Sequence, residues 1–313
     1  MTGAEIVPAA AAGKAAKKAL STSEAERQML AEVAKDLPEM QDAAHAYAKR
    51  VAVRQMVMLK LFQPLARLVG VRREYFDNDF PREMAARIED IPDDDVVSPS
   101  PVLAVPAMQA LGYSLEEPDL KEMYLQLLAT ATDGRRTQDA HPAFADVIKQ
   151  LSPAEAGVLL SVLRGGNLPL AEIRRVIGDA PGYQRHISHV TPLRWVTTNQ
   201  RIRAEQTSAW IDNWVRLGLV TVSYMVTLTS DVVYEWVDGH PDVVDARANG
   251  AIASSDSPAD AETVTYNAQR GSLVPTDFGE RFLAAVTSHQ APDASSSMPV
   301  QQYTARTDWT ASN

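Results

Sequence analysis

The sequence predicts a mainly helical protein with a small antiparallel sheet and one more helix near its C-terminus. Two observations support this fold class. Apolar residues recur at spacings of three and four through most of the chain up to Leu217, which is the period of an amphipathic helix. Alternation of apolar and polar residues, which is typical of a half-buried strand, begins only at Val220 and continues to Val226.

Composition excludes several chemistries before any motif is considered. The chain has 313 residues, of which 45% are hydrophobic, and it contains no cysteine. Disulfides, thiolate catalysis and cysteine-ligated zinc are therefore excluded. Lys14, Lys17 and Lys18 follow an alanine run and precede no long apolar region, unlike the pattern of a signal peptide. No apolar run is long enough to span a bilayer. The absence of cysteine fits a reducing compartment, so we expect a cytoplasmic protein.

The net charge of −10 is unevenly distributed along the chain. Residues 1–73 carry a net charge of +5 and residues 74–150 carry −10. Residues 151–220 carry +3 and residues 221–313 carry −8. Alternating blocks allow a local anionic partner in spite of the acidic total. They equally predict attraction between blocks within the fold or within a homo-oligomer.

The N-terminal part predicts a flexible tail, residues 1–22, followed by a helical region, residues 23–152. The tail is rich in alanine and lacks large apolar side chains. Ser23 is placed to cap a helix that Pro38 interrupts. Residues 51–71 combine many apolar side chains with basic polar positions. This segment predicts either a helix packed against the central block or a peripheral helix on a membrane surface.

The acidic segment that follows, residues 74–100, predicts a short helix from about Pro81 to Glu89 and an extended connector. Asp93, Asp94 and Asp95 form a run of three carboxylates. Consecutive side chains point in different directions and no calcium-loop spacing follows, so the run predicts a solvated turn in preference to a metal site.

The stretch from Pro101 to Pro153 predicts three consecutive helices. Apolar residues of the second helix should face those of the third across the loop 133–140. Ser152 followed by Glu155 is the pattern of a capping box, so a fourth helix should begin there. The predicted seam joins Tyr124, Leu127 and Leu128 to Phe144, Val147 and Ile148.

The same stretch resembles the central block of the abortive infection alpha family. An acidic loop and a helix ending in ALGY precede SLEEPDLKEMYLQLLATATD and HPAFADVIKQLSPAEA, over about residues 74–165. The phrases WVRLGLV and LVPTDFGERFL give a looser similarity nearer the C-terminus. The resemblance implies a non-enzymatic protein of bacterial phage defence that acts through protein contacts. Thr130 and Thr132 stand where the family pattern has the amide-containing end of LLANA.

The motif residues of this block are the candidate functional residues. Two interpretations of His141 are open. It can form hydrogen bonds at the start of a helix, or it can titrate near neutrality beside acidic residues. No nucleophile or paired carboxylate accompanies it, so catalysis is not favoured and no cofactor or metal is predicted. The candidates are Glu116, Glu117, His141, Pro142 and Phe144.

Residues 153–290 predict a second domain that is winged-helix-like. Three helices, Ala154–Leu163, Pro169–Ile177 and Ile202–Leu217, should precede the strand at Val220, with Gly218 as a left-handed cap. Further strands are expected at Val232–Val237 and Ser272–Val274, before a closing helix at Thr276–Val286. Residues 238–270 lack periodicity and predict a flexible wing insertion, and residues 291–313 predict a disordered tail.

Arginines make the start of this second domain locally basic, which allows a DNA-binding regulator as an alternative function. Glu205 and Asp212 on the predicted recognition helix oppose direct readout of the major groove. Trp210 and Trp214 are spaced as core residues, and the pair His186 and His189 lacks a third metal ligand. The nucleic-acid candidates are Arg174, Arg175, Arg194, Trp195, Arg201 and Arg203.

Overall fold

The computed structural model describes residues 38–69, 72–178, 182–255, 263–287 and 305–306. Within these ranges lie nine α-helices, a four-stranded antiparallel sheet and a two-stranded ribbon. The predicted mainly helical fold with a small antiparallel sheet is confirmed. The chain forms two compact units that divide between Ser98 and Pro99. The predicted tail 1–22, the helix start at Ser23 and most of residues 291–313 lie outside the described residues.

Two helices make up the described part of the first unit, α1 (Pro38–Val69) and α2 (Arg73–Arg87). The aromatic ring of Phe80 contacts Phe62 of α1 at a centroid distance of 5.1 Å and Phe76 at 5.2 Å. The helix predicted from Pro81 begins eight positions earlier, at Arg73. Burial of the aromatic residues before Pro81 stabilises a helix that the proline would otherwise interrupt.

The basic and acidic blocks meet inside this first unit. Arg54 of α1 is buried, and its guanidinium donates hydrogen bonds to the carbonyl oxygens of Ile88 and Ile91. The same group pairs with Asp93 at 3.3 Å. Asp93–Asp95 form a single turn of 3₁₀-helix with no buried residue, in agreement with the predicted solvated turn.

The second unit begins with four helices, and all four agree with the predictions. These are α3 (Pro101–Tyr113), α4 (Pro118–Thr132), α5 (Ala143–Lys149) and α6 (Pro153–Gly165). Ser152 and Glu155 form the predicted capping box. Helices α4 and α5 pack together, and every residue of the predicted seam is buried: Tyr124, Leu127, Leu128, Phe144, Val147 and Ile148.

A four-stranded antiparallel sheet follows, in the order β2-β1-β5-β4. Its strands are β1 (Leu168–Ile177), β2 (Gln184–Val190), β4 (Val220–Ser223) and β5 (Val264–Pro275). Helix α7 (Ala204–Arg216) precedes β4, and α9 (Asp277–Val286) follows β5. The short strand β3 (Arg194–Trp195) pairs with β6 (Ala305–Arg306) in a separate ribbon.

The prediction of a helix at Pro169–Ile177 is wrong, because these residues form strand β1. The strand lies between β2 and β5 and its first six residues are all buried. A strand covered on both faces loses the alternation that distinguishes it from a buried helix. The predicted order of three helices before the first strand is therefore not found, since a β-hairpin takes the place of the second helix.

Two further elements differ from the predictions. The prediction of a strand at Val232–Val237 is wrong, because Asp231–Tyr234 form a 3₁₀ turn. Within the expected flexible insertion 238–270, the structure has helix α8 (Pro241–Ser255) and the first half of β5. Helix α8 lies on the sheet, and small residues let it approach closely. A Cβ added at Gly250 would lie 2.7 Å from the ring of Tyr266.

Candidate functional site

Three sequence stretches that are far apart in the chain meet in one place, which we call the junction. They are residues 141–156, 213–220 and 273–283. Asn213 of α7 donates hydrogen bonds to the carbonyl oxygen of Gln150 at 3.0 Å and to Oε1 of Glu155 at 2.7 Å. Arg216, one turn later, donates to Oε1 of Gln150 at 3.0 Å. The capping-box glutamate thus also fixes helix α7.

The start of α9 completes the junction by close contact with the residues that follow α7. Gly218 adopts the left-handed conformation, with φ +74°, that the cap prediction required. The Thr276 hydroxyl donates to its carbonyl oxygen at 2.6 Å, and the Thr276 N–H donates to the carbonyl of Leu219 at 3.0 Å. A Cβ added at Gly279 would lie only 2.0 Å from that Leu219 carbonyl oxygen. Helix α9 therefore needs glycine at this position.

An aromatic cluster lies beneath the junction and reaches the surface at His141. The ring of Phe144 is 5.0 Å from Phe278 and 5.3 Å from Phe282, and Phe144 and Phe282 are fully buried. His141 is exposed, and its ring packs on the edge of the cluster at 5.8 Å from Phe278. Its Nδ1 accepts a hydrogen bond from the Ala143 N–H at 3.1 Å, so the predicted hydrogen bond at the helix start is present.

The end of α4 satisfies carbonyl groups at the C-terminal end of α9. The last four carbonyl groups of a helix have no partner within the helix. Here the Thr130 hydroxyl donates to the carbonyl of Ala285 at 2.9 Å, and Arg136 donates to that of Ala284 at 2.8 Å. Thr130 therefore supplies a hydrogen-bond donor at the position where the family-like pattern has an amide.

Charged groups at the two ends of α4 have opposite pKa shifts. A hydrogen bond from Arg135 holds the pKa of Asp133 below its usual value. Burial raises the pKa of Asp119 in the first turn, and the nearby Glu117 raises it further. Glu116 and Glu117 are exposed before this first turn, and Glu117 makes no capping hydrogen bond through its side chain. They lie about 20 Å from the C-terminal end of this 15-residue helix, where Thr130 contacts α9.

The predicted nucleic-acid residues are divided between two places. Arg174 and Arg175 lie on β1 in the sheet, whereas the other four surround β3 and the start of α7. Arg203 forms ion pairs with Asp242 at 2.8 Å and with Asp245 at 2.7 Å. The hydrogen bond to Asp245 is the main reason that the pKa of Arg203 is raised.

The other members of that second group also face internal partners. Arg194 donates to the carbonyl of Asn199 at 2.8 Å, and the Arg201 guanidinium lies 5.8 Å from the centre of the Trp236 ring. Burial lowers the pKa of Arg201. Trp195 packs edge-on against Trp210 at 6.2 Å. The predicted basic run therefore does not form a single face for phosphates.

A hydrogen-bonded group around His189 was missed from the sequence. Its Nδ1 lies 2.9 Å from the Tyr224 hydroxyl and its Nε2 lies 3.1 Å from Oδ1 of Asp212. His189 has a left-handed backbone with φ +53°, which is uncommon outside glycine. Burial lowers the pKa of His189 and raises that of Tyr224. The group ties β2 to α7 and to the loop after β4.

Neither a metal site nor a membrane span is found in the described parts of the chain. His186 packs on Tyr266 at 4.7 Å, away from the partners of His189. Within these ranges no three histidine or carboxylate side chains are grouped as metal ligands would be. The helices described there are all too short or too polar to cross a bilayer.

Together, the fold and the junction define a mainly helical protein in which motif residues hold helices and a small sheet in fixed positions. The chain belongs to the abortive infection alpha family, whose model matches residues 72–286. The match includes the central block and both of the later stretches that meet it at the junction. No curated protein and no solved structure matches the chain.

Proposed function

We propose that the protein acts in abortive infection against phage through protein contacts made at the surface of the junction, without catalysing a reaction. The family match associates the chain with abortive infection. The observation that supports a contact surface is the use of the motif side chains. Ser152, Glu155 and Thr276 all make internal hydrogen bonds that fix the backbone, and Glu155 also accepts one from Asn213. Such a network preorganises a surface, which lowers the cost of binding a partner.

The exposed rim of the junction supplies the residues that a partner would contact. His141 and Pro142 are exposed beside the aromatic cluster. Arg281 is exposed on α9, three positions after Phe278, and therefore lies on the same side of that helix. A rim with histidine, proline and arginine around buried phenylalanines has the polar edge and aromatic base of a protein interface.

A phage challenge of cells that express rim variants tests this proposal. We expect the double variant His141→Asp with Arg281→Glu to lose protection while its soluble level and melting temperature stay near those of the wild type. The control is Arg247→Glu, the same arginine-to-glutamate reversal at an exposed position of α8. Full protection by the double variant would show that the surface needed for protection lies outside the rim of the junction. Absence of protection by the wild type against a broad phage panel would remove the defence role itself.

One observation favours a second candidate function at a membrane surface. The side chains of Val53, Met56 and Val57 on α1 are 53%, 59% and 37% exposed, and they follow helical spacing. The cations Lys49 and Lys60 are exposed on the same helix. Sedimentation with vesicles that contain anionic lipid tests this candidate, with Met56→Glu as the variant. Binding that persists in this variant, or that added salt does not weaken, would count against it.

A further inference from the structure

Three neighbouring strands of the sheet are basic within an acidic protein. Strands β1, β2 and β5 contain the four arginines Arg174, Arg175, Arg185 and Arg270, but only one acidic residue, Glu172. The whole chain has a net charge of −10. The local excess of positive charge therefore lies on an element with a defined geometry, and the strand registers show which residues share a face.

One face of these strands is polar, and we call it the polar sheet face. Glu172 lies opposite Gln269, and Arg174 lies opposite Asn267 on β5 and opposite Arg185 on β2. Side chains alternate between faces along a strand, so these residues point to one side. Arg175 and Arg270 belong to the other face, where Arg270 pairs with Asp231 and contacts the ring of Tyr234. The polar sheet face consists of Glu172, Arg174, Tyr183, Arg185, Asn267 and Gln269.

The buried carboxylate of Glu172 orients two guanidinium groups. Its side chain is 3% exposed, and its two oxygens lie 2.8 Å from Nε of Arg174 and 2.9 Å from Nε of Arg185. The Arg185 side chain is 68% exposed, and its terminal nitrogens make no hydrogen bond to any described residue. Two positive charges thus share one negative charge, and the Arg185 side chain stays largely exposed. Planar guanidinium groups held in this way suit phosphate oxygens.

An aromatic ring lies beside the two arginines. Tyr183 is 53% exposed, and the guanidinium of Arg174 stacks 3.9 Å from the centre of its ring. The amide side chain of Asn267 is also exposed on this face. A half-exposed ring next to positioned arginines provides a stacking surface for a base and donors for its phosphate. An antiparallel sheet that carries such groups is a known way to bind unpaired bases.

We propose that the polar sheet face binds single-stranded nucleic acid, with phosphates at Arg185 and Arg174, a base stacked on Tyr183, and Glu172 as the positioning residue. A double helix fits less well because its bases are already stacked and cannot reach the tyrosine. An acidic peptide would use the two arginines but not the aromatic ring or the amide. The ring and the amide therefore favour nucleic acid.

Fluorescence anisotropy with labelled 20-nucleotide single strands of DNA and RNA tests the proposal on the full chain. Two phosphate contacts predict that affinity falls about sevenfold between 50 and 200 mM salt. We expect Arg185→Ala to weaken binding and to reduce the salt slope by about 0.7. The matched control Arg270→Ala removes the same charge from the opposite face and should leave both quantities unchanged. Tyr183→Ala should lower affinity about tenfold without a change of slope, while Tyr183→Phe should bind like the wild type.

Glu172→Gln separates positioning from simple attraction, because the two predict opposite signs. The variant removes one negative charge from the face, so nonspecific attraction would tighten binding. Loss of the group that holds both arginines should weaken it instead. The proposal is overturned if the wild type gives no anisotropy change, if Arg185→Ala and Arg270→Ala behave alike, or if Glu172→Gln binds more tightly. It is also overturned if a labelled polyglutamate peptide binds with the same dependence on Arg185 and single strands do not compete with it.

Discussion

Replacement of Gly279 by alanine gives the most direct test of the junction, because helix propensity and packing predict opposite results. Alanine in a helix is favoured over glycine by about 1 kcal/mol. The new Cβ, however, would lie 2.0 Å from the Leu219 carbonyl oxygen and 2.9 Å from its carbonyl carbon. Both are backbone atoms and cannot rotate away. Helix α9 would have to withdraw by roughly 1.5 Å to restore an ordinary contact.

Three contributions determine the change in the free energy of unfolding: overpacking, lengthened hydrogen bonds and helix propensity. Overpacking costs about 1 to 3 kcal/mol. The two hydrogen bonds of Thr276 to Gly218 and Leu219 would lengthen as well, each contributing about 1 kcal/mol. Against the gain in propensity, we expect a net loss of about 2 to 4 kcal/mol. This corresponds to a melting temperature lower by roughly 5 to 15 °C.

Urea unfolding followed by circular dichroism at 222 nm, together with thermal melting, measures this loss. The matched control is Glu280→Ala, the next position on the same helix, which is exposed and should change stability by less than about 0.5 kcal/mol. A Gly279→Ala variant with a midpoint at or above that of the wild type would show that the junction is loose enough to admit a methyl group. The close approach of α9 to Leu219 would then not be a requirement of the fold.

Three other perturbations have definite expected outcomes. Leu127→Ala removes a fully buried side chain from the seam and should cost about 2 to 5 kcal/mol in urea unfolding. Thr130→Val keeps the shape but leaves the Ala285 carbonyl without its donor, so it should cost about 1 to 3 kcal/mol, with Thr221→Val on the exposed side of β4 as a control. Burial lowers the pKa of His240 to about 4, so the folded state disfavours its protonation. Its contribution to stability is complete above pH about 6.5 and is lost as the pH falls toward 4; unfolding midpoints at several pH values should show a smaller acid loss in His240→Gln.

The helices of the central block could be predicted because local signals agree with one another there. Ser152 and Glu155 mark a helix start through their own side chains, and Gly218 marks a helix end through its backbone. Such signals involve residues within a few positions of each other, so a single sequence contains them. The position of α9 behind its cap at Thr276 was predictable for the same reason.

Strand β1 and helix α8 could not be predicted because tertiary contacts decide them. The sequence LPLAEIRRVI fits a helix as well as a strand, and only its place between β2 and β5 selects the strand. Helix α8 has few large apolar residues, yet Val243 and Ala246 bury it against the sheet. Small residues at a close contact leave little periodicity for a sequence pattern to show.

The sequence predicted only those features of the candidate sites that depend on neighbouring residues. His141 and Phe144 lie at the start of one helix, as the sequence predicted, but their contacts with Phe278 join positions far apart in the chain. The hydrogen bond from Thr130 to Ala285 spans 155 positions. No spacing rule connects such residues, so the junction becomes visible only in the folded chain.

Charge illustrates the same limit, because the arginines of the predicted basic run lie in two separate places. The net charge of residues 151–220 is +3, which correctly marks a basic region but does not say which arginines remain available. Folding pairs Arg203 with Asp242 and Asp245, two acidic residues from the segment expected to be flexible. It leaves the Arg185 side chain largely exposed, although Glu172 lies within ion-pair distance. Availability of a cation depends on whether its acidic partner blocks the outer donors or only orients them. Strand pairing places Arg174 opposite Arg185, with Glu172 beside both. A count of charges along the sequence does not contain this arrangement.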